Sequence, residues 1–407
     1  MGFSRAAWER AMRFQEVILR AMSGEITWIR AAEIVGVTDR TMRRMRARYQ
    51  AHGYDGLLDR RRRTPSARRA PVEEVERVLR LYREKYRGLN VRHFHALVVR
   101  EEGVTLSYSF VRKALQEAGL VKKQRPRGRP RESRPRRGCR GEMLLIDGSA
   151  HRWLLARPDE TQTLLAIQDD ATGELLHARL WPSETTESVL WGLREVTARE
   201  GVCVSLYSDR AGWAFHTPEG SRRVSRAHLT QVGRALAALG VEHIAAYSPQ
   251  AKGRIERLFK TLQGRLPGEL RLRGITTVGA ANRYLGERFA PAYNAEFAVP
   301  PQDPQSAFVA VEARDLDRVF CRRTARSVDK DGTVRWGKRR LALAPRPGRS
   351  SWRGAQVTLC EHLDGTASVF QGPRLLGRWD AAGRPLGVEE AEGEDAPGSA
   401  LRVLPFG

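Results

Sequence analysis

Over the first 120 residues apolar positions recur three and four apart, and after residue 140 they gather into short runs separated by turn residues. Phe14, Val17, Ile18 and Ala21 share one face of a predicted helix. Residues 29–34 predict a second helix, Gly36-Val37-Thr38 a break, and residues 39–49 a third helix with Met42, Met45 and Tyr49 turned inward. A short helix, a glycine-containing turn and a basic helix make a helix-turn-helix pattern. Arg40, Arg43, Arg44, Arg46 and Arg48 lie on the outer side of the third helix and suit the major groove and its phosphates. An unrelated bundle with a charged solvent face would carry the same pattern.

A second helical unit follows. Val72, Val75, Val78, Leu79 and Tyr82 fall at helical spacing, residues 91–99 and 107–118 predict two more helices, and Leu106, Phe110, Val111, Leu115 and Leu120 complete a core. This reads as another helix-turn-helix-like DNA-binding domain or as a spacer bundle. Residues 122–140 have no core to bury: Pro126, Pro130 and Pro135 alternate with a dense basic run that includes Lys122, Lys123, Arg125, Arg127 and Arg129. Such a segment serves as a basic arm in a groove or as a solvated linker.

From residue 142 the pattern becomes mixed α/β. Residues 143–146 predict a short buried strand closed by Asp147, residues 151–155 the start of the next, and residues 163–167 and 174–180 a pair joined by a turn at Asp169 and Asp170. Aspartates at such a turn bind their own backbone. A helix (183–199), a strand (202–207) ending at Ser208-Asp209, an irregular piece (211–226), a helix (229–239) and a strand (241–245) follow. After Ser248-Pro249, which bars helix, Ile255, Leu258, Phe259 and Leu262 set one face of a helix starting at Gly253. This order suits a ribonuclease H-like fold, a mixed five-stranded sheet covered by helices. Residues 266–299 are mostly helical. Short strands at 319–327, 332–336, 338–343, 356–360 and 367–370 then predict a small basic β-barrel or sheet, with Trp336 and Trp352 in its core or stacking on bases. An acidic stretch near Glu389–Asp395 marks a tail that solubilises the chain or shields a basic surface.

Composition sharpens this picture. The 407 residues carry a formal charge of +24 and a pI near 10.8, which points to nucleic acid as partner. Four scattered cysteines with no paired spacing predict neither a zinc site nor a disulfide framework. No apolar run approaches a membrane span, and no apolar signal core opens the chain, so a bacterial cytoplasmic, nucleoid-associated protein without membrane contact is expected.

The chemistry rests on three carboxylates. Asp147 and Asp209 close strands expected to lie side by side, and Glu256 opens a helix beside them, among Lys252, Arg254, Arg257 and Lys260. Converging carboxylates repel unless a cation lies between them, and hard oxygen donors suit Mg²⁺, with Mn²⁺ as the alternative. Two such ions acting on a phosphodiester fit the setting. Ser208 and Ser248 lack a base and an orienting partner. His151 is a DNA contact near the carboxylates or a structural residue.

Three motifs in order, Ile146-Asp147-Gly148-Ser149-Ala150-His151-Arg152-Trp153, Tyr207-Ser208-Asp209 and Ser248-Pro249-Gln250-Ala251-Lys252-Gly253-Arg254-Ile255-Glu256, resemble those of bacterial insertion-sequence DDE transposases of the retroviral-integrase-like superfamily. The resemblance covers about residues 140–300, and the interval 209–256 is longer than in many integrase-like members. It implies a Mg²⁺-dependent polynucleotidyl transferase with Asp147, Asp209 and Glu256 as ligands of two ions. It also implies binding to terminal inverted repeats, hydrolysis to free 3′-OH ends, joining to target DNA, and assembly as a dimer or higher homo-oligomer on paired ends. Lys252, Arg254, Arg257 and Lys260 match positions that contact DNA, and Arg322, Arg323 and Lys338 make the C-terminal domain basic.

The expected organisation is therefore a helix-turn-helix domain (1–58), a basic linker (59–70), a second helical domain (71–121), an Arg/Pro-rich linker (122–140), a catalytic core (141–300), a linker (301–315), a β-barrel domain (316–380) and an acidic tail (381–407). A domesticated transposase acting as a DNA-binding repressor or architectural protein is the alternative function.

Overall fold

The computed structural model describes residues 5–58, 70–123, 134–157, 159–218, 224–225, 227–247, 253–344 and 351–386. Arg125, Arg127, Arg129, Lys252 and most of the acidic tail lie outside the described residues. The chain forms two compact units, Met1–Arg77 and Val78–Gly407.

In the first unit, α1 (Arg5–Met22), α2 (Trp28–Val35) and α3 (Asp39–His52) enclose Phe14, Val17, Ile18, Ala31, Ala32 and Met42. Local chemistry sets the turn. Thr27 caps α2 by accepting the Arg30 N–H, and Thr38 caps α3 by accepting the Thr41 N–H. Between them Gly36 takes φ 74°, a left-handed conformation, and returns its N–H to the end of α2.

The second unit opens with α4 (Val72–Glu84), whose residues from Val78 onward belong to it, followed by α5 (Val91–Glu102) and α6 (Tyr108–Glu117) around Tyr82, Tyr86, Phe94, Leu97, Val111 and Leu115. Next come β1 (Cys139–Arg140), β2 (Met143–His151), β3 (Gln162–Asp169), β4 (Leu175–Trp181), α7 (Thr186–Glu200), β5 (Ser205–Ser208), α8 (Gln231–Ala238) and β6 (Glu242–Ala245). The sheet order is β4-β3-β2-β5-β6. β2, β3 and β4 are antiparallel, and β5 and β6 run parallel to β2. This is the arrangement expected of the ribonuclease H-like core.

The sheet has an apolar layer on each face. Leu144, Ile146, Leu165, Ile167 and Leu206 pack with α7 and α8. Met143, Leu145, Leu164 and Ala166 pack with α9 (Gly253–Leu272), α10 (Val278–Tyr284) and α11 (Ala290–Phe297). α9 is longer than the sequence pattern showed, continuing through Pro267 to Leu272. Its second half carries the helical unit. Asn90 Nδ2 donates to the Gly264 carbonyl at 2.7 Å, and His93 meets Glu269 at 2.9 Å. A Cβ on Gly268 would collide with the Leu89 side chain, so glycine permits the close approach.

Two strand expectations are corrected. Asp147 does not close its strand: β2 runs on to His151, because Gly148–His151 continue the ladder with β3 after the pairing with β5 has ended at Leu145–Tyr207. The strand expected at 151–155 is absent, and Trp153 and Leu154 are buried in a turn. The closed barrel expected of the C-terminal domain is not found among the described residues.

In that domain, β7 (Asp303–Ser306), parallel to β1, and α12 (Ala313–Val319) lead into β8 (Arg322–Ser327). β9 (Thr333–Trp336) and β10 (Arg339–Ala342) form a hairpin. β11 (Gln356–Glu361), β12 (Ala367–Gln371), β13 (Arg374–Trp379) and β14 (Pro385–Leu386) make an open antiparallel sheet in the order β14-β13-β12-β11-β8. Among the described residues its edges, β8 and β14, do not pair. The hairpin supplies Val334, Trp336 and Leu341 to the same core as Val357, Leu359, Val369 and Trp379, so it covers the sheet's apolar face without closing the ladder. Trp336 and Trp352 are core residues, one of their two expected settings.

Candidate active site

β2 and β5 pair in parallel at Met143–Ser205, Leu144–Leu206 and Leu145–Tyr207. Asp209 directly follows β5 and keeps the same sequence offset from Asp147 that Tyr207 keeps from Leu145, two residues past the last pair, so both aspartates lie at one end of the β2–β5 ladder. Side chains alternate along a strand, which puts Asp147 on the face of Leu145 and of its register partner Ala166. That is the face α9 covers through Ile255, Leu258, Phe259 and Leu262. Both aspartates are half-buried, and Glu256 is exposed on the first turn of α9. Asp147 Oδ1 accepts the Gly148 N–H at 3.2 Å, and Asp209 Oδ1 accepts the Ala211 N–H at 3.0 Å.

Two ties fix α9 along β2. At one end, Arg254 donates from Nη1 to Asp170 Oδ1 at 2.6 Å, while the Asp170 N–H bonds the Met143 carbonyl at 3.0 Å. At the other, Gln263 Nε2 donates to Ser149 Oγ at 3.1 Å. Glu256 on the helix and Asp147 on the strand both lie between these ties. Among the described residues no three His, Cys, Asp or Glu side chains are gathered as a metal-holding group, so the carboxylates share a region without closing on one point. As donors, three carboxylates at one sheet face fit a hard divalent cation.

The surrounding bases separate into two kinds. Arg254 is largely buried and committed to Asp170 and the Arg134 carbonyl. Burial lowers its pKa from the ordinary arginine value, and Asp170 opposes that shift. Arg257 and Lys260 are exposed, and Arg257 borders a cleft with Arg134, Arg136, Tyr293 and Phe297. His151 packs edge-on against Trp153 with ring centroids 5.1 Å apart. The turn aspartates have different duties. Asp169 binds the Thr172 and Gly141 N–H groups, as its turn position predicted, whereas fully buried Asp170 also takes Arg134 and the Arg137 N–H.

The carboxylate neighbourhood contains His243, Glu184 and Trp213, which the sequence did not single out, and Ser208, which it read as lacking a base and which here meets an imidazole. Ser208 Oγ bonds the Asp209 carbonyl and His243 Nε2, each at 2.9 Å. His243 stacks on Phe215 with centroids 4.0 Å apart, and burial pushes its pKa down to about 4. Glu184, half-buried ahead of α7, accepts the Trp213 indole N–H at 2.8 Å and abuts Gly148. No spacing links 184, 213 and 243, so only the fold could find them.

Among the other predicted DNA contacts, α3 exposes Arg40, Arg44 and Arg48 along one stripe, pairs Arg43 with Asp39, and stacks Arg46 over the Trp28 ring at 4.5 Å. Lys122, Lys123, Arg322 and Lys338 are exposed. Arg323 turns inward: its Nη2 donates to the Arg318 carbonyl at 2.8 Å, and its Nε is buried.

The helix-turn-helix domain family matches residues 15–64, and the homeodomain-like domain family matches residues 41–115. The y4bF transposase candidate of Sinorhizobium fredii is 31% identical over 363 residues, 89% of this chain and 79% of that protein. The transposase for insertion sequence IS1202 of Streptococcus pneumoniae is 31% identical over 304 residues, 66% of this chain and 64% of its own length, a little under two thirds. Among solved structures, the HTLV-2 integrase catalytic core domain in complex with magnesium is 14% identical over 37% of this chain and 86% of its own, with a TM-score of 0.27. The simian T-cell lymphotropic virus intasome with PP2A regulatory subunit B56 gamma is 13% identical over 73% of this chain and 97% of the matched chain, with a TM-score of 0.31. With an N-terminal helix-turn-helix and this extent of shared sequence, the chain belongs to the transposase family of y4bF.

Proposed function

We propose that the protein is a DNA transposase that binds the terminal inverted repeats of its element, hydrolyses a phosphodiester at each end and joins the freed 3′-OH to target DNA. The observation that carries this reading is that Asp147 and Asp209 lie at one end of the β2–β5 ladder, with Asp147 on the face covered by the helix that bears Glu256. These three carboxylates would hold one or two divalent cations, Mg²⁺ or Mn²⁺. Bound there, the ions would lower the charge on the reacting phosphate and favour ionisation of the attacking hydroxyl.

The chain's own residues bind and align the DNA. Arg257 and Lys260, exposed on α9 downstream of Glu256, meet phosphates beside the reacting bond. Arg254 holds the first turn of α9 on Asp170, so the carboxylate two residues later is fixed by a buried pair. In the first step water oxygen bonds phosphorus as the 3′-oxygen–phosphorus bond breaks, leaving a 3′-OH and a 5′-phosphate. In the second, that 3′-OH forms the new ester as a target-strand ester breaks and releases its own 3′-oxygen. The bonds exchanged are equivalent, so no nucleotide cofactor is needed. A homo-oligomer on paired ends would bring two such sites to one target.

The test uses purified protein, Mg²⁺ and a labelled duplex carrying the inverted repeat that flanks the gene. Nicking at the element's end followed by strand joining is expected. Asp209→Asn and Glu256→Gln should each lose both steps while still retarding the duplex in a gel. Full activity in either variant would refute the assignment, and tight binding without cutting by the unmodified chain would favour the repressor reading.

A further inference from the structure

Glu184 immediately precedes α7 and is held by a capping box at the helix start. The Thr185 N–H donates to Ser188 Oγ at 2.9 Å, and the Ser188 N–H donates to Thr185 Oγ1 at 3.1 Å. The Glu184 carboxylate bridges two segments that share no sequence relationship with it. Oε1 accepts the Trp213 indole N–H at 2.8 Å. Oε2 rests against Gly148, where a Cβ would collide with it and would stand 2.8 Å from the carboxyl carbon. Gly148 directly follows Asp147, and Trp213 lies four residues after Asp209.

The segment after Asp209 is compact. Asp209 Oδ1 accepts the Ala211 N–H, and the Ala211 carbonyl accepts the N–H groups of Ala214 at 2.9 Å and Phe215 at 3.1 Å. Trp213, 8% exposed, anchors this turn in the core beneath the sheet. By strand alternation Gly148 faces the layer of α7 while Asp147 faces that of α9. Glu184 therefore approaches from the side opposite the Asp147 carboxylate, which suits it to hold the backbone and not to share a ligand.

We propose that Glu184 is a positioning residue of the transposition site: it clamps the turn that follows Asp209 to the strand position that follows Asp147, and so fixes the two aspartates relative to each other. This role rests on the transposase reading above. Glycine at 148 is part of the device, since any side chain there would displace the clamp. Trp213 is its other half, since phenylalanine fills the core but donates nothing.

The experiment compares Glu184→Ala, Glu184→Gln, Trp213→Phe and the double variant Glu184→Ala/Trp213→Phe in the full-length protein. Single-turnover nicking should fall about 10- to 100-fold in Glu184→Ala and Trp213→Phe, the size of a small misplacement of reacting groups. DNA-end affinity and the Mn²⁺ midpoint should be unchanged. Glu184→Gln, which still accepts the indole N–H, should retain activity within about 3-fold, and the double variant should be no worse than the worse single. Amide hydrogen exchange supplies a readout independent of cutting: exchange in residues 209–215 should rise in Glu184→Ala but not in Glu184→Gln. If Glu184→Gln fails as badly as Glu184→Ala and shifts the Mn²⁺ midpoint, Glu184 acts through its charge and the positioning role is overturned. Unchanged exchange in Glu184→Ala overturns the clamp itself. An unmodified chain that never cuts, with exchange behaving as expected, overturns the transposase reading and leaves the clamp as a purely structural tie.

Discussion

Arg254, on the first turn of α9, donates to Asp170 at 2.6 Å, and Asp170 is fully buried at the end of β3. One carboxylate thus joins the start of α9 to the central sheet, and it also receives Arg134 and the Arg137 N–H. Removing one partner of a buried pair strands the other's charge, which costs about 3–5 kcal/mol. Asp170→Ala should therefore lower the urea midpoint by a corresponding amount, and nicking should fall with it because Glu256 loses its footing. Asp170→Ala/Arg254→Met, with neither charge left buried, should recover part of the stability. An unshifted midpoint in Asp170→Ala would show that the pair does not hold α9.

The other tie makes a milder prediction. Gln263 and Ser149 are joined at 3.1 Å across α9 and β2, at an exposed position. A hydrogen bond between neutral groups contributes about 0.5–1.5 kcal/mol. Gln263→Ala should cost no more than that in stability. It should reduce nicking at saturating DNA more than it weakens DNA-end binding. The two effects are separated by measuring single-turnover rate and gel-shift affinity on one preparation.

α3 divides its arginines by duty. Arg40, Arg44 and Arg48 form an exposed stripe, whereas Arg46 stacks on Trp28 and Arg43 is paired with Asp39. Arg44→Ala and Arg48→Ala should each weaken DNA binding and reduce the slope of log affinity against log salt by about 1, as expected for one lost phosphate contact. Arg46→Ala should also lower the melting temperature of the N-terminal unit, since it removes the stack on Trp28. Binding isotherms at several salt concentrations distinguish these outcomes.

His243 gives the fold a pH dependence. Burial holds its pKa near 4, below the usual 6.5 of the unfolded chain. Between these values the unfolded state binds the proton and the folded state does not, so stability is complete above about pH 6.5 and declines as pH falls toward 4. The shift of about 2.5 units corresponds to roughly 3 kcal/mol at full extent. Urea midpoints between pH 7 and pH 4.5 should fall more steeply for the native chain than for His243→Asn. Equal slopes would assign the acid sensitivity to other groups.

The sequence by itself determined the local elements and the kinds of chemistry. Helical spacing, the capping threonines at 27 and 38, and Gly36 specify the helix-turn-helix because each acts within a few residues of chain. The order of strands and helices suited a ribonuclease H-like core, and the three carboxylates stood out by their places at two predicted strand ends and a helix start. Tertiary structure decided the rest. β2 continues past Asp147 because β3 supplies hydrogen-bond partners that no local pattern reveals. The β9–β10 hairpin covers the apolar face of the C-terminal sheet, a choice made by packing. Arg254 and Arg323 read as surface cations, yet each turns inward, Arg254 to Asp170 far off in sequence and Arg323 to the nearby Arg318 carbonyl. Glu184, Trp213 and His243 come to the site from separate elements. Their meaning depends on distances in space, and hydrophobic periodicity carries no information about those.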